Sequence, residues 1–134
     1  MNKLLFIALL IVSSTISAQE KTDKGVFAFE NETINYGIIA KNSDGNRAFV
    51  FTNVGDEPIV ITQVKGSCGC TVATKPSAPI LPGETAEIGV KYDTNRLGGF
   101  SKTITITSNA SEISKVVRIK GNVVAQDKVA IVVK

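Results

Sequence analysis

The chain has 134 residues, a length that fits one domain, and its 15 basic and 12 acidic side chains leave a formal charge of only +3. So balanced a charge, with no basic cluster, argues against nucleic acid; six phenylalanines and two tyrosines without tryptophan give no stacking platform for bases or sugars. Histidine is absent, which excludes the Ser-His and Cys-His pairings of nucleophilic catalysis.

In chain order, Asn2-Lys3 is followed by the apolar run Leu4–Val12 and then by Ser13-Ser14-Thr15-Ile16-Ser17-Ala18. A short positive start, a short apolar stretch and a small-residue end describe a secretory signal peptide. The run is too short to cross a bilayer as a helix, which takes about 20 residues. The expected cut follows Ala18, with residues 19–25 as an N-terminal segment. The processed chain is expected in the periplasm or outside the cell, without a membrane span.

The rest reads as β. Gly25–Phe29 and Ile34–Ile39 begin a series of short apolar runs, and Asn42-Ser43-Asp44-Gly45-Asn46 interrupts it. Asp44-Gly45-Asn46 is a fragment of a calcium loop without the downstream acidic ligand, so it is read as a turn. Arg47–Thr52 and Pro58–Val64 are rich in β-branched and aromatic residues and predict central strands packed on both sides. Thr85–Tyr92 alternates, with Ala86, Ile88, Val90 and Tyr92 on one face; Ser101–Thr107 alternates Ile with Thr and Ser. Lys115–Lys120 continues the series, and Gly98-Gly99 is expected as a turn. Gly37, Gly89 and Gly121 within strand patterns predict bulges or close backbone approach.

About seven short strands divided by turn residues predict an all-β, Greek-key, immunoglobulin-like sandwich over residues 26–124, with a small barrel as the alternative. The carboxylates, among them Glu30, Glu32, Asp44, Asp56, Glu57, Glu84, Glu87 and Asp93, fall in turns or on polar strand faces and read as solvated charge. Catalysis is therefore not expected. The tail Ala125–Lys134 is apolar and β-prone; it predicts either one more strand of its own sheet or a strand added to another protein's sheet.

One motif carries chemistry beyond packing. Ser67-Cys68-Gly69-Cys70-Thr71 contains both cysteines of the chain. Together with Tyr36-Gly37-Ile38, Phe49–Ile61, Pro79–Glu84 and Ser108-Asn109-Ala110, it resembles the secreted bacterial family of domain of unknown function 1573. Val54 stands where threonine is more usual in that pattern. The resemblance implies an immunoglobulin-like sandwich similar to domains of ciliary and centrosomal proteins and of pilus chaperones, and export from a Gram-negative bacterium of the Bacteroidetes type. It implies no activity.

Cys68 and Cys70 must then be read from their chemistry. An oxidising compartment favours a disulfide. A Cys-x-Cys bridge closes a very small ring, gains little from loop-closure entropy and is easily reduced. Four roles stay open: a local clamp on the loop after Val64, a redox-active pair, a soft-ion site for Cu(I), and a bridge to another chain. Zinc fits badly, because a structural site needs about four ligands and the chain supplies two cysteines and no histidine. The sequence thus predicts an exported, non-catalytic structural or protein-binding module without cofactor, its partner another exported or cell-envelope protein, the alternative being thiol-redox or Cu(I) chemistry at Cys68 and Cys70.

Overall fold

A computed structural model describes residues 24–132, so the expected signal peptide and its cut after Ala18 lie outside the described residues. Eight strands follow one another: β1 (Phe27–Phe29), β2 (Thr33–Ala40), β3 (Asn46–Asn53), β4 (Ile61–Gly66), β5 (Thr71–Thr74), β6 (Thr85–Tyr92), β7 (Gly98–Ser108) and β8 (Ser114–Val124). They form two sheets, ordered β1-β3-β6-β5 and β2-β8-β7-β4, which makes the domain a sandwich and not a barrel. All pairs are antiparallel except β2 with β8. That parallel pair joins strands from the two ends of the domain, so its crossover is the rest of the fold.

The two-residue period sorts the side chains. Phe49, Phe51, Ile88 and Val90 of the first sheet and Ile104, Ile106, Val117 and Ile119 of the second are all at most 3% exposed and share one core. Each such side chain contributes about 1.5–3 kcal/mol by leaving water. Phe27 and Phe29 extend that core as an edge-on and stacked aromatic group against Phe51 and Phe49.

Several expectations need correction. Arg47–Thr52 lies in β3, central in its sheet as expected, but its burial alternates and only one face is fully buried. Pro58–Val64 is not a central strand. Ile59 instead bridges Ile80, the pairing along β4 begins only at Ile61, and β4 is an edge strand with exposed Thr62, Gln63 and Lys65. The run breaks because Asn109 captures it: the Asn109 Oδ1 accepts the Val60 N–H at 2.7 Å and its Nδ2 donates to Pro58 O at 3.2 Å. Gly98 and Gly99 open β7 instead of forming a separate turn, paired with Val123 and Asn122. The four-residue β5 carries no periodic signal long enough to read.

Of the three strand glycines, Gly37 (φ 67°) sits in the register shift between Asn35 and Ile38, and Gly121 lies where a Cβ would come within 3 Å of both Tyr36 and Phe100. Gly89 marks neither; it is in unbroken register with Ala48, and a Cβ there would meet only Thr74 at 3.7 Å.

The C-terminal segment is a further correction. Gln126–Val132 forms a helix, α1, packed against β2, and not a strand. Both neighbours of β8 stop where it stops, with Gly98 opposite Val123 and Ala40 opposite Val124. A strand past Val124 would be unpaired on both edges, whereas a helix satisfies its own backbone and takes Asp127 into its first turn.

Conserving the end of the sandwich opposite α1 falls to Asn53, which is fully buried. Its Oδ1 accepts the N–H groups of Val26 and Gly55 at 3.1 and 3.0 Å. Its Nδ2 donates to Glu57 O at 2.8 Å and Ile80 O at 2.9 Å. Four backbone groups from three segments of chain meet on one amide, every hydrogen-bonding site of which is used.

Candidate functional site

Gly66 ends β4 in one sheet and Thr71 begins β5 in the other, so Ser67–Cys70 has to cross between the layers along one flank. Hydrogen bonds hold both ends of this crossing. The Ser67 N–H donates to Thr103 O at 2.9 Å, and the Ser67 hydroxyl accepts the Thr103 N–H at 3.2 Å. At the far end the Asp93 N–H donates to Cys70 O at 2.9 Å. Between them, Thr71 N–H donates to Cys68 O at 3.3 Å, which closes a β-turn with Gly69 and Cys70 as its central residues.

Cys68 and Cys70 are joined as a disulfide, their Cα atoms 5.3 Å apart, a separation the bridge accommodates. The two sulfurs have unequal surroundings: Cys70 is 4% exposed, Cys68 is only partly buried, and Gly69 between them is exposed. The Cys70 N–H donates to Cys68 Sγ at 3.3 Å. The buried Thr71 hydroxyl lies 4.0 Å from Cys68 Sγ and 3.9 Å from Cys70 Sγ, so one O–H borders both sulfurs.

Gly69 and Cys70 also form one wall of a depression of about 580 Å³ at this end of the sandwich, opposite the β2–β3 loop and the chain after β6. An aromatic group underlies it. Tyr92 stacks on Phe100 with centroids 3.7 Å apart, and Tyr36 meets both edge-on. The Tyr36 hydroxyl donates to Gly45 O at 2.8 Å, and the Arg47 guanidinium lies 4.4 Å from its ring centre. Burial raises both tyrosine hydroxyls above their ordinary value. In the β2–β3 loop, the backbone and side-chain N–H groups of Asn46 hold the exposed Asp44 carboxyl below its ordinary value. Those bonds make an Asx turn of Asp44-Gly45-Asn46, which the sequence reading took simply as a turn.

The sequence reading placed the chemistry at Cys68 and Cys70, and the fold brings these two together with three groups it did not single out: the Thr71 hydroxyl, the Asp93 amide and Thr103. Thr71 stood inside the quoted motif. Thr103 is 36 positions from Ser67, and no local pattern announces that pairing. Lys65, the nearest cation in sequence, takes the outer face of β4 while Val64 packs on the core. Among the described residues no group of three or more His, Cys, Asp or Glu side chains is placed to hold a metal ion, and no helix is long and apolar enough to cross a membrane. As bonded, the two sulfurs present no thiolate to a soft ion.

Residues 27–123 match the family described as protein of unknown function (DUF1573). Among solved structures, a protein of unknown function from Porphyromonas gingivalis W83 superposes with a TM-score of 0.66 at 17% identity, over 81% of this chain and 51% of that one. The chain thus spans about half the length of that protein. The PapD-like domain 7 of human CEP192 gives 0.57 at 10% identity, over 85% of this chain and 96% of that one. The CsuC–CsuE chaperone–tip adhesion subunit pre-assembly complex of Acinetobacter baumannii contains a chain giving 0.56 at 12% identity, over 81% of this chain and 60% of that one. These likenesses carry the fold, an immunoglobulin-like sandwich of the PapD kind. No curated protein matches the sequence.

Proposed function

This chain belongs to the DUF1573 family, and from that premise we propose that it is an exported, non-catalytic module that binds another protein of the cell envelope along a sheet edge. The observation that carries the reading is the flank formed by β4 and β5. Each is the outermost strand of its sheet, so two rows of backbone N–H and C=O groups run along the same side of the sandwich. Thr71-Val72-Ala73-Thr74 is uncharged, and Val72 is 62% exposed. Edge strands of this kind accept a further strand, with main-chain hydrogen bonds for affinity and alternate side chains for specificity. One structure with a similar chain is described as a complex of a chaperone with a tip adhesion subunit, which supports a protein partner. Export is supported by the sequence of residues 1–18 and by nothing in the fold.

The test is a photo-crosslinking amino acid placed singly at Val72, Gln63 and Ser101 in cells that make the protein. Val72 and Gln63 lie on the two edge strands, whereas Ser101 lies in β7, an inner strand. A discrete adduct is expected from the two edge positions and none from Ser101. Adducts from Ser101 alone, or from no position, would remove the edge-binding reading.

A further inference from the structure

The bridge between Cys68 and Cys70 holds up little of the fold. The crossing that contains it is already fixed by the Ser67–Thr103 pair at one end and the Asp93–Cys70 bond at the other, and the ring it closes is too small to restrict the unfolded chain much. What surrounds the sulfurs suits another task. We infer that Cys68–Cys70 is a thiol-exchange site: a dithiol, presented by a protein or a small molecule, reduces it by attacking Cys68, with Cys70 as the leaving sulfur.

Three observations carry this. First, access is one-sided. Cys68, although packed on the edge of the core, is the less buried of the two, whereas Cys70 is only 4% exposed, so Cys68 is the side from which a thiolate would approach. A Cβ added at Gly69 would touch nothing within 4 Å, so the approach over the turn is open. Second, the leaving sulfur has a donor beside it. As the disulfide breaks, negative charge develops on Cys70 Sγ, 3.9 Å from the Thr71 hydroxyl, a neutral group that is buried and can turn its O–H toward the sulfur. Third, the attacked sulfur is also provided for, because the Cys70 N–H already points at Cys68 Sγ at 3.3 Å and strengthens when that sulfur becomes a thiolate. Donors to both thiolates favour the reduced pair relative to a bridge without them.

The exchange balances in two steps. The dithiol's first thiolate bonds to Cys68 Sγ, the Cys68–Cys70 bond breaks, and its electron pair leaves on Cys70 Sγ, which takes up a proton. The dithiol's second thiolate then attacks its own first sulfur and releases Cys68 as a thiolate, which is protonated or held by the Cys70 N–H. The dithiol ends as a disulfide, having lost two electrons and two protons, and the domain has gained them. This site is independent of the sheet-edge reading; either can hold without the other.

Reduction by dithiothreitol, followed by acid quench, alkylation and intact mass, tests the inference on the folded protein beside the unstructured peptide Ser-Cys-Gly-Cys-Thr. The folded bridge is expected to be reduced within about tenfold of the peptide's rate, and a folded rate more than about a hundredfold slower would overturn the proposal. The direction of attack is read from two single variants with matching circular dichroism. Cys70→Ser leaves Cys68, and Cys68→Ser leaves Cys70. Cys68 should react with a chromogenic aromatic disulfide about tenfold or more faster than Cys70, and guanidinium should erase the difference. Equal rates in the folded proteins would overturn the assignment of Cys68 as the attacked sulfur. For the positioning role of Thr71, the equilibrium with reduced and oxidised glutathione should move toward the bridge by about 3–10-fold in Thr71→Val and return in Thr71→Ser. An unmoved equilibrium would overturn that role.

Discussion

The two ends of the sandwich are built on opposite plans. At one, Asn53 gathers four backbone groups from three segments on a fully buried amide with no free hydrogen-bonding site, and the neighbouring Leu81–Glu84 turn closes on it, Gly83 N–H donating to Asn53 O at 2.7 Å. At the other, the Cys68–Thr71 turn is held by backbone bonds and a short bridge beside an open depression. Both ends draw on residues of the same family motif, so the motif mixes two roles. A buried, fully paired polar group specifies one packing; an accessible bridge with donors around it is free to react. Residues that look alike in a sequence pattern therefore carry different burdens.

Mutations should break this contrast unequally. The largest effect is expected from Asn53→Ala, which leaves the buried Gly55 N–H and Ile80 carbonyl without a partner and breaks two part-buried bonds to Val26 and Glu57, and should cost about 3 kcal/mol or more in urea unfolding. A loss under about 1 kcal/mol would mean that water replaces the amide and that this end is not pinned as described. The double variant Cys68→Ser/Cys70→Ser should cost no more than about 1.5 kcal/mol, the chain-entropy value for so small a loop. A larger loss would make the bridge a structural staple and erase the difference between the ends.

The smallest expected effect is electrostatic and belongs to the pinned end. The Lys115 amine donates to Glu32 at 2.6 Å and lies 3.5 Å from Glu112, and the hydrogen bond to Glu32 raises its pKa above the ordinary lysine value. Because the folded value exceeds the unfolded one, this contribution is fully present below the unfolded pKa and is lost as pH rises through the folded pKa. Both glutamates are more than half exposed, so the pair is screened and should be worth a few tenths of a kcal/mol. The stability difference between the protein and Glu32→Gln should accordingly be constant through neutral pH and shrink above the ordinary lysine value. A difference that grew with pH would contradict the sign.

How much of this could be read in advance differs by element. The strands of β6 and β7 were legible because the alternation of Ile88, Val90 and Tyr92, and of Ile104 and Ile106, is set by the backbone pleat, a local property. The run around Pro58 was not, because its fate depends on Asn109, which is 49 positions from Val60. The cysteine pair was legible from composition and spacing, but the Thr71 hydroxyl beside both sulfurs and the anchoring by Thr103 and Asp93 were not.

The sequence by itself determined the fold class, most of the turn positions and the place of the cysteine pair, since each rests on residues within a few positions of one another. Only the tertiary structure decided which strands became edges, that Cys70 is more deeply buried than Cys68, and that residues 126–132 turn helical instead of joining a sheet. Those outcomes depend on which backbone groups distant segments leave unpaired, and hydrogen-bond pairing between sheets' strands is settled across the whole domain, not along any single stretch of it.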